Sequence, residues 1–129
     1  MSDLVDRAAR LHQPGPEHKN CCQSILGAAA PIVALDEQTA LNLATAFGSG
    51  MQCGELCGAL TGSIMAIGLR FGDTPEAKQL CRAFTARFRE TFGSLVCREI
   101  RDPQTGRKDC QSLVKQAAAL LDQFLSEAE

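Results

Sequence analysis

The 129-residue sequence predicts an all-α, single-domain bundle of about five to six helices. Three observations predict this fold class: apolar residues recur at helical spacing, period-2 alternation is nearly absent, and glycine or proline separates the segments. Apolar residues make up 45% of the chain and charged residues 22%, which is ordinary for one globular domain with a buried core. We expect the helices to be joined by short connections, as in a helical bundle.

The N-terminal segment is predicted to form a short charged helix over residues 2–11 with one apolar face. The turn Pro14-Gly15-Pro16 then ends this helix. We expect residues 1–17 to form a peripheral helix and turn on a single domain that covers residues 1–129. His12 and His18 flank the turn, and we expect both to be exposed to solvent rather than to serve as ligands.

Residues that cap helices mark the start of the next two helices. Asn20 is placed to cap a second helix from Cys21 to about Ala30, which Pro31 ends. Asp36 is placed to cap a third helix, which closes at Gly48-Ser49-Gly50.

The fourth helix, predicted from about Glu55 to Phe71, carries an unusual row of glycines. Gly54, Gly58 and Gly62 follow one another at intervals of four residues, although a glycine inside a helix costs about 1 kcal/mol relative to alanine. A helix face without side chains allows another helix or a ligand to approach the backbone closely. We expect tight helix packing on this face, and binding of a ligand against it is the alternative.

The fifth helix has clear signals at both ends. Thr74-Pro75-Glu76 provides a cap, a proline at the first position and an acid in the first turn, and Gly93 follows the last residue, Phe92. The helix carries a row of phenylalanines at intervals of four residues: Phe84, Phe88 and Phe92. We expect this row to lie in the core.

The C-terminal part predicts a short helical turn, a polar loop and a last helix. The turn covers residues 94–99 and the loop residues 101–108. Asp109 is placed to cap a helix from Cys110 to about Leu125.

Composition and charge argue against several classes of function. The formal net charge is −2 and the only aromatics are six phenylalanines, so we expect no nucleic-acid binding. We see no basic segment followed by an apolar one at the N-terminus, and no apolar run long enough to span a bilayer. We therefore expect a cytoplasmic protein without a secretory signal or membrane insertion.

Seven cysteines are the most informative feature of the sequence. An odd number cannot pair fully and the cytoplasm keeps thiols reduced, so metal, cluster or redox chemistry is favoured over a disulfide scaffold. Cys21 and Cys110 are predicted at helix N-termini and Cys57 in a first turn, where the helix dipole should lower the pKa of a thiol. No C-x-x-C, phosphate-loop or H-E-x-x-H motif is present.

The other cysteines are expected to differ in role. We expect Cys22 and Cys81 to be small core residues. Cys53 is four residues before Cys57, but Gly54 could place it in the preceding loop, and its role stays open.

The segment Cys57-Gly58-Ala59-Leu60-Thr61-Gly62 resembles the C-G-A-x-x-G signature of a family of proposed redox-active proteins, named for its C-GCAxxG-C-C cysteine pattern. Asn20-Cys21 before this motif and Cys97-Arg98-Glu99 after it agree with the same pattern, as does Cys110 behind a polar loop. The resemblance covers about residues 18–125. It departs from the family at position 49, which is Ser where Gly is usual, and Cys22, Cys53 and Cys81 are additional.

The resemblance implies that the four family cysteines are Cys21, Cys57, Cys97 and Cys110. It implies a redox role without a known substrate. A related domain in split-Soret-type cytochromes carries an iron–sulfur centre beside haem, but this chain has no C-x-x-C-H motif and covalent haem is not expected.

Three hypotheses for the function stay open. In the first, these four thiols converge to bind an iron–sulfur cluster or zinc for electron transfer or redox sensing. In the second, Cys21 or Cys110 attacks a disulfide and Cys57 or Cys97 resolves the product. In the third, the chain is a structural or interaction protein with inert thiols, packed as a homodimer through its glycine face. The redox partner and any enzymatic activity are left open.

Overall fold

The computed structural model describes residues 3–100 and 109–128, and in these residues the predicted all-α fold is confirmed. The six helices of these two stretches are α1 (Asp3–His12), α2 (Cys21–Ala29), α3 (Glu37–Ala44), α4 (Gly58–Phe71), α5 (Pro75–Phe92) and α6 (Cys110–Glu127). Single turns of 3-10 helix cover Thr45–Phe47 and Cys97–Glu99, and an irregular turn covers Gly50–Gly54. The predicted polar loop, residues 101–108, lies outside the described residues.

The predicted caps are confirmed at four helix starts. The Asn20 side chain accepts a hydrogen bond from the Gln23 backbone N–H (2.8 Å), and the Gln23 side chain accepts one from the Asn20 N–H (3.0 Å), which completes a capping box. The caps of the other three helices each accept a hydrogen bond from the backbone N–H three residues on; they are Asp36, Thr74 and Asp109. Local sequence therefore fixes where these helices begin.

Helix α2 lies at the centre of the bundle and contacts α1, α3, α4 and α6. Its Ile25 and Leu26 are fully buried. The predicted phenylalanine row is confirmed as core, because Phe84 and Phe88 of α5 have no exposed surface and Phe92 is also buried. None of the helices in the described stretches is both long enough and apolar enough to cross a membrane.

The N-terminal helix is part of the core, contrary to the expectation of a peripheral element. Helix α1 packs against α2 and α6, and its Leu4 and Ala8 are almost completely buried. A helix of only ten residues is not stable alone in water, and it is stabilised here because the rest of the bundle covers its apolar face.

The fourth helix begins at Gly58, three residues later than predicted, and Cys57 is its N-cap rather than part of its first turn. Gly54 has a positive φ of 73° and Glu55 is non-helical, so neither continues the helix. Gly54 is therefore not part of the close-packed face: a Cβ there would lie 3.8 Å from the Arg98 side chain, an ordinary contact.

Gly58 and Gly62 do form the close contact that was predicted. A Cβ at Gly58 would lie 2.9 Å from the backbone N of Cys22, and one at Gly62 would lie 3.0 Å from the backbone O of the same residue. These glycines allow α4 to pack directly against the backbone of α2. Because this face is covered within the chain, it is not available for the homodimer of the third hypothesis.

Candidate thiol site

The four cysteines singled out by the sequence come from separate parts of the fold and converge. The Cys21 thiol is hydrogen-bonded to Cys110, and it is close enough to Cys57 and Cys97 for their thiolate charges to act on it. Cys57 is likewise within electrostatic reach of Cys97 and Cys110. Three of the four, Cys21, Cys97 and Cys110, line one open pocket of about 690 Å³, and Cys57 is 2% exposed.

Backbone pairing positions Cys57 and Cys97 beside each other. The Cys57 N–H donates to the Leu95 carbonyl (2.9 Å) and the Cys97 N–H donates to the Glu55 carbonyl (2.6 Å). Leu56 and Val96 lie between these bonds and form an isolated antiparallel bridge. Two thiols that are 40 positions apart in the sequence are thus placed together by a short stretch of extended backbone.

The α2–α4 contact positions Cys21. A Cβ at Gly58 would lie 3.2 Å from the Cys21 Cβ and 3.1 Å from the Phe47 carbonyl oxygen. The glycine that follows Cys57 in the motif therefore lets the first residue of α2 approach the N-terminus of α4. Gly58 is therefore needed both for the close packing of the two helices and for the position of Cys21 in the thiol site.

The pKa values of Cys21 and Cys57 are raised, so the expectation of lowered values at these two thiols is wrong. Burial raises the pKa of Cys57 to about 11, although the nearby backbone N–H groups of Ala59 and Leu60 act in the opposite direction. The pKa of Cys21 is raised further, chiefly by the hydrogen bond with Cys110 and then by burial. The helix N-terminus acts on Cys57 as expected, but desolvation is larger.

His12 is buried against the site, which corrects the expectation that it is exposed. It is 5% exposed and its Nε2 lies 3.8 Å from the Cys21 Sγ. Burial and then the nearby His18 lower the pKa of His12, which keeps its imidazole neutral at pH 7. His18 is exposed, as expected. The signal for His12 was present, since Leu4, Ala8 and His12 repeat at intervals of four on the apolar face of α1.

The remaining cysteines have three different environments. Cys22 is fully buried, as expected, and its sulfur accepts a hydrogen bond from the Thr61 hydroxyl (3.6 Å). Cys53 is exposed on the irregular turn and lines the pocket, so it is not on α4. Cys81 is only half-buried, contrary to the expected core position, and its thiol donates to the Ile64 carbonyl (3.7 Å).

Arg98 is a pocket residue that the sequence did not single out. Its exposed guanidinium lines the pocket and donates from Nη1 to the Gly54 carbonyl and to the Glu55 carboxylate, both at 3.0 Å. These bonds join the irregular turn to the Cys97 segment. The neighbouring carboxylate of Glu55 raises the pKa of Arg98.

The chemistry of the donor atoms fits a metal, although the side chains are not arranged around one. All seven cysteines are free thiols. Within residues 3–100 and 109–128, no three His, Cys, Asp or Glu side chains already form a metal-ligand geometry. The pocket is nevertheless lined by the thiols of Cys21, Cys97 and Cys110 and by two imidazoles, with Cys57 buried nearby. Thiolate and imidazole are the donors that zinc, copper and iron–sulfur centres take.

Comparison with known proteins agrees with the cysteine pattern. The profile of the family described as "Putative redox-active protein (C_GCAxxG_C_C)" matches residues 19–124. No curated protein and no solved structure gives a significant match. The matched residues include the motif and all four converging cysteines, and the chain belongs to the C_GCAxxG_C_C family.

Proposed function

We propose that this chain is a redox-active protein in which Cys21, Cys57, Cys97 and Cys110 together bind an iron–sulfur cluster or another thiolate-bound metal, for electron transfer or redox sensing. The observation that carries the proposal is that Cys21, Cys97 and Cys110 line one pocket, with the Cys57 segment bonded to the Cys97 segment beside it. Four cysteine sulfurs are a complete ligand set for zinc and for common iron–sulfur clusters.

Electrostatics supports the proposal. Cys21 has Cys110, Cys57 and Cys97 as neighbours whose charges raise its pKa, so several thiolates at this site repel one another when no cation is present. A bound metal ion reverses this relation, because it stabilises each coordinating thiolate directly. These thiols therefore ionise with difficulty when no cation is present, and they ionise readily when they coordinate a metal ion.

The packing also supports a prearranged site. Paired backbone places Cys57 next to Cys97, and the α2–α4 contact places Cys21 against Gly58. Three of the four ligands are thus held on backbone that other contacts fix, which lowers the entropy that metal binding must overcome.

Anaerobic purification with measurement of iron, zinc, acid-labile sulfide and visible absorption tests the proposal. We expect metal in the wild-type protein and its loss in each single Cys→Ser variant of the four ligands. Cys81→Ser is the matched control and should retain the metal, since Cys81 bonds to Ile64 and does not line the thiol pocket. A colourless wild-type protein free of iron and zinc would overturn the proposal.

Thiol–disulfide exchange is the second candidate, and the hydrogen bond between Cys21 and Cys110 favours it. One of these thiols would lose its proton and attack a partner protein's disulfide, and the other would displace the partner from the mixed disulfide. The partner gains two thiols while the pair forms one disulfide, so electrons balance. Metal-free protein treated with oxidised glutathione should then yield a Cys21–Cys110 disulfide by mass spectrometry. An unchanged count of free thiols would exclude this candidate.

A further inference from the structure

His12 is the imidazole that contacts the Cys21 sulfur, and it precedes the residues that the family profile matches. It is the last residue of α1, its Nε2 lies 3.8 Å from the Cys21 Sγ, and the family match begins at residue 19. His12 and Cys21 line the same pocket. The contact thus joins the N-terminal helix to the thiol site.

The surroundings of the ring indicate which nitrogen carries the proton. His12 Nδ1 is buried and has no hydrogen-bond partner among residues 3–100 and 109–128. A neutral imidazole carries one N–H, and buried N–H groups without an acceptor are rarer than buried acceptors without a donor. The proton therefore belongs on Nε2, where the Cys21 sulfur can accept it.

Contacts on the other side of the ring hold it in this orientation. The rings of His12 and His18 meet edge to face with 4.6 Å between their centroids. His18 Nδ1 lies 2.8 Å from the His12 carbonyl oxygen and closes the turn behind it. The imidazole is therefore fixed by packing, as a side chain that tunes a neighbouring sulfur needs to be.

We propose that His12 donates a hydrogen bond from Nε2–H to the Cys21 sulfur and thereby raises the reduction potential of the site. The proposal rests on the proposed metal or cluster ligation by Cys21. Reduction adds negative charge that is partly carried by the ligand sulfurs, and a hydrogen-bond donor stabilises that charge. His12 is thus a positioning and tuning residue rather than a ligand.

The first test needs no bound cluster. Nitrogen-15 NMR of the imidazoles in the metal-free protein at pH 7 distinguishes the two neutral tautomers of His12, and His18→Gln assigns the signals. We expect His12 to carry its proton on Nε2. A proton on Nδ1 would overturn the proposal whether or not the chain binds a cluster.

The second test compares reduction potentials after anaerobic reconstitution with ferrous iron and sulfide. His12→Leu removes the donor and should lower the potential by about 59 mV, a tenfold change in a one-electron equilibrium. His12→Gln keeps an N–H donor and should recover most of the shift. Cys81→Ser is the matched control and should leave the potential unchanged, because the Cys81 thiol bonds to the Ile64 carbonyl and does not line the thiol pocket.

The outcomes separate this proposal from the ligation on which it rests. A wild-type chain that takes up neither a cluster nor zinc overturns both. A chain that binds zinc but no cluster overturns only the tuning role of His12. A wild type and a His12→Leu variant that both hold a cluster at the same potential overturn only the role of His12. Thermal melting of each variant shows whether a changed potential reflects a changed fold, and a Leu variant that melts normally with a lowered potential supports the hydrogen bond.

Discussion

At the scale of single residues, Cys57 shows two opposing effects on one sulfur. It caps α4, and the N–H groups of Ala59 and Leu60 point at its thiol and favour the thiolate. It is also 2% exposed, and loss of hydration favours the neutral thiol more strongly. A helix N-terminus therefore activates a cysteine only when the sulfur keeps access to water or meets a cation.

These raised values predict how the metal-free protein responds to alkaline pH. Burial raises the pKa of Cys22 and of Cys57 from 9.0 to about 11. Unfolded chains ionise these thiols first, so the free energy of unfolding should be unaffected below pH 9 and should fall as the pH rises to about 11. Each thiol should contribute up to about 3 kcal/mol to this loss.

Urea unfolding in the presence of reductant and chelator, at several values between pH 8 and pH 11, measures the effect. Cys22→Ala is informative because it lacks one of the two thiols. The difference in the free energy of unfolding between wild type and this variant should narrow as the pH rises, because only the wild type loses the contribution of the Cys22 thiol. A constant difference would contradict the raised pKa of Cys22.

Among the structural elements, the contact of α2 with α4 depends on glycine at one position and not at another. A Cβ at Gly58 would lie 2.9 Å from the backbone N of Cys22, whereas one at Gly68 on the same helix would meet nothing within 4 Å. We expect Gly58→Ala to destabilise the protein by about 1–3 kcal/mol through overpacking. Gly68→Ala should instead stabilise it by up to about 1 kcal/mol through helix propensity.

Chemical denaturation of the two variants checks this pair, and metal content adds a second measurement. Gly58→Ala should also reduce metal binding, because it separates Cys21 from Cys57. Equal stability of the two alanine variants would show that the α2–α4 contact is not set by Gly58.

The turn before α4 carries four successive backbone conformations that favour glycine, the last of them at Gln52. Ser49, Gly50 and Met51 have φ of 52°, 63° and 61°. Ser49 lines the pocket, so a non-glycine residue in a left-handed backbone conformation lies directly at the candidate site. We expect Ser49→Gly to be more stable than Ser49→Ala by about 1 kcal/mol, measured by thermal or urea unfolding. The opposite order would mean that Ser49 relaxes to a negative φ.

Local signals predicted most elements, and contacts distant in sequence account for the errors. The caps Asn20, Asp36 and Asp109 require only neighbouring residues, so their helices were placed within a few residues. The start of α4 was placed too early because residues 55–57 pair with 95–97, which no local pattern reveals. His12 was misjudged because its burial depends on how α1 packs against the rest of the bundle.

The sequence indicated which residues belong to the candidate site, but it did not indicate how buried they are or how their pKa values shift. The motif and cysteine order pointed to Cys21, Cys57, Cys97 and Cys110, and the structure brings them together. The sign of their pKa shifts depends on desolvation and on distances between sulfurs, which a one-dimensional pattern does not contain.

On the scale of the whole molecule, the site lies where several separate elements of the fold meet. Cys21 and Cys110 begin α2 and α6, while Cys57 and Cys97 lie on the paired backbone before α4 and after α5. A metal bound by all four thiols would therefore link the N-termini of three helices and one loop. Ligand binding of this kind stabilises the folded chain as a whole.

Hydrogen exchange with and without metal tests whether the four segments act as one unit. At a free metal concentration about 100 times the dissociation constant, stabilisation should reach about 2.7 kcal/mol, which slows globally exchanging amides about a hundredfold. The Cys57 and Cys97 N–H groups, which bond to Leu95 and Glu55, should gain protection together with the first turns of α2 and α6. Cys110→Ser serves as the control and should abolish the gain in all four segments at once. Protection confined to residues 50–57, with α2 and α6 unchanged, would mean that fewer than four of these cysteines hold the metal.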